Sequence, residues 1–386
     1  MSPLLRRGQA GAKLRVPIPA ALLDVLRDGP APLVPRRHAG EGALEVALVV
    51  PQFRRGSGGH ATIANLVRAL EARGHALSVW VADDEGRHAG ESETQTAALW
   101  EEFFGPVRAA VRTSLEAWAG ADVVVATGWQ TVPRVLTLPG AGARAYLVQD
   151  HEPEFYATSA ERDWATWTYG QGLHCICASP WLAELVSDRY GASATPFDLG
   201  VDHDRYHALP THRRDDLVLF YARAVTPRRA VPLGVLALQE LHRRRPDVEI
   251  ALFGEARELQ TPFPHRHLGV LPADRLAHAY ASAAVGVVLS LTNPSLVPTE
   301  MLACGLPVVD VASDAMQATF GPGGPVLLAE PDPLALCAAI ERLLDDLVER
   351  ADRSRAGTEL VAARTWAAAA EQVERGLRAA LSAAGL

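Results

Sequence analysis

LEVALVVPQFRRGSGGHATIANLVRALEARGHALSVWVA, residues 44–82, decides the fold. A short apolar run leads into a glycine-rich loop, then into a stretch of helical periodicity closed by Gly74, then into a second apolar run. Apolar runs of this length without polar alternation are strands buried on both faces, and a helix between two of them is a crossover joining parallel neighbours. The rhythm continues through DVVVAT (residues 122–127), ARAYLVQ (143–149) and LHCICAS (173–179).

A second round runs from DLVLFYAR (residues 216–223) through VEIALFGE, AVGVVLS and LPVVDVA to VLLAE near residue 330. At 386 residues the chain exceeds what one hydrophobic core usually spans. The fold class is therefore α/β, with two Rossmann-like parallel-sheet domains. The polar, proline-bearing stretch 198–215 is the expected joint. Expected boundaries are a lead-in over 1–43, packed on or flexible beside the first domain, a first domain over 44–205, a second over 206–365, and a helix over 366–386 crossing back to the first.

The chain is 48% hydrophobic and 21% charged, the profile of a globular α/β protein. Its net charge of −8 argues against a general nucleic-acid binder. The first 55 residues are nevertheless basic, with Arg6, Arg7, Lys13, Arg15, Arg27, Arg36, Arg37, Arg54 and Arg55 against Asp24, Asp28, Glu41 and Glu45. That stretch is either a solvated lead-in or a peripheral contact with anionic headgroups on the inner face of a membrane. Cys175, Cys177, Cys304 and Cys337 sit in apolar segments without metal-ligand spacing, which implies reduced thiols and a cytoplasmic location. No apolar run is long enough for a signal peptide or a membrane span, so the chain is not expected to enter a membrane by itself.

Parallel sheets of this kind bind ligands outside the C-terminal ends of their strands, so the loops there hold the candidates. In PQFRRGSGGH, Gly56, Gly58 and Gly59 let backbone amides approach an anion at a helix start. A dinucleotide-binding reading draws on Asp83 and Asp84, but Pro51 to Arg55 delay the turn that fingerprint needs at once. In VQDHEPEFY, Asp150, His151, Glu152 and Glu154 crowd a strand end, either as helix caps or as proton-transfer or sugar-binding groups. In YARAVTPRR, Arg223, Arg228 and Arg229 converge on a helix start, a combination suited to a diphosphate. Lys13 is the only lysine, so cationic roles fall to Arg or His. In LTNPSLVPTEMLACGLPVV, Pro294, Ser295, Leu296 and Val297 precede a helix expected near Pro298, and Glu300 lies in its first turn as a cap or a ligand contact.

FRRGSGGH, QDHEPEFY, LGVDHDRY, YARAVTPRR, ALFGE and NPSLVPTEMLACGLPVV, in that order from about residue 44 to the last helix, resemble the GT-B fold glycosyltransferases of family 4, and among them the WsaF-type rhamnosyltransferases. The resemblance implies two domains facing each other across a cleft. It implies a nucleotide-sugar donor, dTDP- or UDP-linked, and no separate cofactor. Gly58 and Gly59 would lie against the donor and His151 would face the transferred sugar. Arg223 and Arg229, with the amides of Ser295 to Val297, would hold the diphosphate. Glu300 would bind the ribose, with Gly254 and Glu255 bordering the base.

Many family members carry a glutamate eight residues before Glu300, where this chain has Thr292. Either the donor sugar is a deoxyhexose such as rhamnose, or the chain is a catalytically silent nucleotide-sugar binder supporting a partner enzyme. Asp202-His203-Asp204 spells a D-x-D motif but falls in the joint, so a metal-independent transfer is expected, and the resemblance implies that it retains the anomeric configuration. Asp150 and His151 are the nearest candidates for a nucleophile, and Asp150 is also a candidate acceptor-orienting base. The glycan or lipid-linked acceptor is expected against residues 85–120 and 155–170, where Trp100, Trp118, Trp164 and Trp167 either stack on sugars or fill the core.

Overall fold

The computed structural model describes residues 18–19, 21–35 and 42–385. Arg6, Arg7, Lys13, Arg15, Arg36, Arg37 and Glu41 of the basic stretch lie outside the described residues. Arg27 within it is paired with Asp24 and Asp28 on the short helix Leu22–Asp28.

The first sheet has seven strands: β1 (Glu45–Pro51), β2 (Ala76–Ala82), β3 (Ala110–Arg112), β4 (Ala121–Ala126), β5 (Ala141–Val148), β6 (His174–Cys177) and β7 (Ala194–Pro196). Their order is β3-β2-β1-β4-β5-β6-β7 and every pairing is parallel. The second sheet contains β8 (Leu217–Tyr221), β9 (Glu249–Phe253), β10 (Arg266–Gly269), β11 (Val285–Val287), β12 (Val308–Val311) and β13 (Val326–Ala329). It runs β10-β9-β8-β11-β12-β13, again all parallel. Three strands, β3, β7 and β10, have no counterpart in the apolar pattern. They are short edge or near-edge segments, and RHLG in β10 is polar because one side of it meets solvent.

The apolar runs have no alternation because both faces are covered. Val46 to Val50 of β1 are all buried, and so is every residue of β4. Helix Gly58–Ala72 buries Ile63, Leu66, Val67 and Leu70, spaced to form one stripe against the sheet. It ends at Arg73 and Gly74, the latter at φ 95°, which lets the chain turn sharply into β2.

After the second sheet the chain returns to the first domain. Helix Trp366–Ala383 packs on helix Gly58–Ala72 and on β5, β6 and β7, burying Ala369, Ala370, Val373, Leu377, Ala380 and Leu381. Two crossings of the chain meet where Val201 bridges Thr365 in parallel fashion. Gly200 is needed there: a Cβ on it would sit 2.6 Å from the backbone nitrogen of Trp366. Gly200→Ala is therefore expected to lower the unfolding free energy in urea titration by about 1–3 kcal/mol. Gly58→Ala, which meets nothing within 4 Å, should stay within about 0.5 kcal/mol of wild type.

Candidate active site in the interdomain cleft

In each sheet the strand order reverses direction once, between β1 and β4 in the first and between β8 and β11 in the second. A crevice opens at such a switch point because the loops on either side leave in opposite directions. Here the two crevices face each other. Loops after β1, β4 and β5 meet loops after β8 and β11 around a cavity of about 500 Å³.

The second-domain wall is built for an anion. Helix Leu296–Ala303 starts two residues before the expected Pro298, and its N-cap residue Ser295 makes no side-chain cap. Ser295, Leu296 and Val297 line the cavity, and the buried Ser295 hydroxyl has no hydrogen-bond partner. The first amides of a helix have no internal acceptor and carry the positive end of its dipole. Arg223 lines the same wall and has no carboxylate partner among the described residues.

The other two arginines line the cavity as well and also hold protein partners. Arg229, buried, donates to the Ser290 hydroxyl at 3.0 Å. Burial lowers its pKa, which the Asp150 charge opposes. Ser290 is fixed in turn by Asp310, whose Oδ1 accepts the amides of Ser290 (2.6 Å) and Val311 (2.7 Å) while Oδ2 is buried without a partner. Burial pushes the Asp310 carboxyl up to about 7. Arg228 reaches across the cleft to Asp150 at 3.0 Å and lies over the Phe155 ring at 3.9 Å. Both side chains follow from a 3₁₀ turn, Pro227–Arg229, that ends at Ala230 with φ 42°, a strained angle for a residue with a Cβ.

Asp150 bridges the domains. Its Oδ1 accepts the amides of His151 (2.9 Å) and Asn293 (3.1 Å), and its Oδ2 faces the Thr292 hydroxyl (3.0 Å) and Arg228. Asn293, fully buried, donates from Nδ2 to the carbonyls of Gln149 (3.0 Å) and Ala178 (3.2 Å) and accepts from the Ser179 hydroxyl (2.8 Å). The structure places three of the expected groups against protein partners. Asp150 lines the cavity with both oxygens engaged. Thr292 is buried away from the cavity, and its hydroxyl complements Asp150 rather than a sugar. His151 is 2% exposed behind the wall, where Nε2 meets the Tyr190 hydroxyl at 2.7 Å, and burial lowers its pKa.

The remaining candidates divide. Gly58 and Gly59 line the cavity, and the Gln149 amide donates to the Gly59 carbonyl at 3.3 Å. Gly254 and Glu255 do not line it but back residues that do. A Cβ on Gly254 (φ 93°) would meet the Tyr221 ring at 2.5 Å, and Glu255 accepts the Val225 amide at 3.4 Å. Glu300 is half-buried outside the cavity lining, its carboxyl pushed up to about 7 by burial with the nearby Tyr280 hydroxyl opposing. Asp202 of the D-x-D motif pairs with Arg205 at 3.1 Å in the chain crossing. Among the tryptophans, Trp100 is core beside Phe53 and Phe104, Trp118 packs edge-on against Trp80, and Trp164 stands behind Trp129.

Tyr156, at the end of QDHEPEFY, lines the cavity. Trp129 and Gln130, from the loop after β4, line it too and escape the sequence reading. Their signal was positional: a glycine and an aromatic directly after a buried strand. Glu152 lines the cavity too, and it caps the first amide of the 3₁₀ turn Trp129–Thr131. Its Oε2 accepts the Trp129 amide at 2.7 Å, and burial pushes its carboxyl up to about 7. His60 is held neutral by burial, its pKa pushed down to about 4, with Nε2 donating to the Pro51 carbonyl at 3.1 Å and Nδ1 accepting from Ser57.

Known proteins match this architecture. A family model described as the C-terminal domain of WsaF matches residues 216–341. The O-antigen biosynthesis protein RfbC of Myxococcus xanthus is 34% identical over 354 residues, covering 87% of this chain. The chain spans 27% of that relative's length. Among solved structures, HepE of Anabaena with bound UDP-glucose superposes with a TM-score of 0.65 at 15% identity, over 87% of this chain and all of the other. Sucrose-phosphate synthase of Thermosynechococcus elongatus gives 0.64 at 17% identity, over 88% and 99% of the two chains. The fold is GT-B.

Thr292→Glu is expected to lose about 2–4 kcal/mol of stability, because it sets a second carboxylate against Asp150 in a buried junction. Combining it with Asp150→Asn should recover most of that loss in thermal or urea unfolding. For Asp310, the folded state keeps a proton that the unfolded state releases between the ordinary carboxylate range and about 7. Its presence therefore costs stability as pH rises through that window. Asp310→Asn should gain on wild type by about 2–3 kcal/mol between about pH 5 and about pH 8, measured by urea unfolding at each pH.

Proposed function

We propose that the chain is a glycosyltransferase that moves a hexose from a nucleoside-diphosphate donor onto a glycan or lipid-linked glycan acceptor during surface-polysaccharide assembly. One observation carries the reading. The uncapped amides of Ser295 to Val297, the partnerless Ser295 hydroxyl and the Arg223 guanidinium open on one cavity. A diphosphate satisfies all three at once. The GT-B likeness to HepE, which binds UDP-glucose, supports a nucleotide-sugar there, and the RfbC relative, named for O-antigen biosynthesis, supports the glycan acceptor.

In this reading charge develops on the departing diphosphate, and the preorganised amides and Arg223 oppose it as it grows. Arg229, in the same wall and fixed by Ser290, adds its field. These groups supply the positive charge the leaving group needs, so turnover in excess EDTA is part of the proposal. A deoxyhexose donor such as dTDP-rhamnose is the finer form of it, supported by the WsaF C-terminal match over the donor-side domain. Retention of configuration enters from the family resemblance. Thr292 was the basis for a catalytically silent binder, and its contact with Asp150 now accounts for that residue.

Calorimetric titration with UDP and dTDP tests the site. Arg223→Ala should weaken binding by about 10- to 100-fold, the worth of a charge-assisted phosphate contact, without moving the thermal midpoint. A wild-type chain that binds neither nucleotide would falsify the reading.

A further inference from the structure

We infer that Asp310 is a positioning residue for the donor site: one serine hydroxyl removed from Arg229, its carboxyl sets how much of that arginine's charge reaches the diphosphate. Donor binding is then linked to a proton on Asp310. This rests on the nucleotide-sugar reading and adds a residue behind its cationic wall.

Asp310 lies fully buried in β12, whose other residues, Val308, Val309 and Val311, are apolar. An acid inside a covered parallel sheet is costly unless something there makes use of it. Its neighbour on β13 is Leu328, which offers neither charge nor hydrogen bond from its side chain. Oδ1 accepts the amides of Ser290 at 2.6 Å and Val311 at 2.7 Å, while Oδ2 is buried with no hydrogen-bond partner. An asparagine oxygen could serve both amides, so these bonds alone do not call for an acid.

The link to the cavity runs through Ser290, which is fully buried. Its carbonyl accepts from the Ser313 hydroxyl at 3.1 Å, and its amide is held by Asp310. Its hydroxyl accepts from Arg229 Nη1 at 3.0 Å, which leaves its own proton free to turn toward the Asp310 carboxyl. Arg229 is buried in the wall and lines the cavity. A diphosphate in the cavity and an ionised Asp310 are therefore two anions drawing on one buried cation, and each weakens the other's hold.

Burial, the largest effect, pushes the Asp310 carboxyl up to about 7, opposed by the two amides, the Ser290 hydroxyl and the Arg229 charge. Arg229 faces Asp150, Arg228 and Tyr221 as well. Two other acids are raised to about 7 by burial: Glu152 lines the first-domain wall, and Glu300 stands outside the lining. A diphosphate that draws on the Arg229 charge removes part of what keeps Asp310 ionised, so binding brings a proton onto the carboxyl.

The test is calorimetric titration of the full chain with UDP-glucose and dTDP-glucose from about pH 6 to about pH 8, in buffers of different ionisation enthalpy. These diesters keep a constant charge over that range, so a change in affinity belongs to the protein. Wild-type affinity should fall about fivefold from about pH 6 to about pH 8, with uptake of about half a proton near about pH 7.5. Asp310→Asn should bind more tightly than wild type at about pH 8, hold that affinity across the range and take up no proton. Glu152→Gln should keep the wild-type fall. A wild-type affinity that does not fall, a fall that persists in Asp310→Asn, or one that disappears in Glu152→Gln would each overturn the assignment. If Asp310→Asn does not fold, the wild-type and Glu152→Gln profiles decide by the same criteria. A chain that binds neither nucleotide-sugar at any pH overturns the donor reading and this inference with it, whereas binding without pH dependence overturns this inference alone.

Discussion

The Asp150 carboxylate sits where two domains touch, and groups from both converge on it: its own neighbour's amide, then Thr292, the Asn293 amide and Arg228 from the other side. A buried charge is tolerable only when its lone pairs are met, so this one specifies a mutual position of the domains. Asn293 reinforces it by returning hydrogen bonds to Gln149, Ala178 and Ser179 of the first domain. The helix that offers its amides to the cleft begins at Leu296, directly after this junction. Its aim at the opposite wall is therefore set by the same contacts.

Around that junction the cleft divides its labour by wall. The second domain contributes positive potential through Arg223, Arg229 and the helix start. The first contributes glycines, aromatics and the Glu152 carboxyl. Burial leaves Glu152, Glu300 and Asp310 each near neutrality, while His60 stays uncharged. Few bare charges thus compete with an incoming diphosphate for the cationic wall.

Much of the site was legible in the chain because glycines, arginines and a helix start after a strand have local signatures. Gly58, Gly59, Arg223 and Ser295 to Val297 line the cleft for reasons visible within a few residues of each. His151 and Thr292 misled for one shared reason. Their roles depend on partners distant in sequence, Tyr190 and Asp150, and neither pairing has a local cue. Trp129 was missed because an aromatic after a strand reads equally as core or as cleft.

By itself the sequence determined two parallel sheets, since runs such as LEVALVV must be covered on both faces and a crossover helix allows only parallel return. It also determined that the strand-end loops would hold the polar groups. Only the tertiary structure decided which of those groups face the cleft and which hold the domains together. Asp150 and Glu152 lie two residues apart on one loop and both line the cavity, but the first is taken up by the second domain while the second is fixed within the first by the Trp129 amide. That distinction comes from which partners the packed domains bring within hydrogen-bond reach, and spacing along the chain does not encode it.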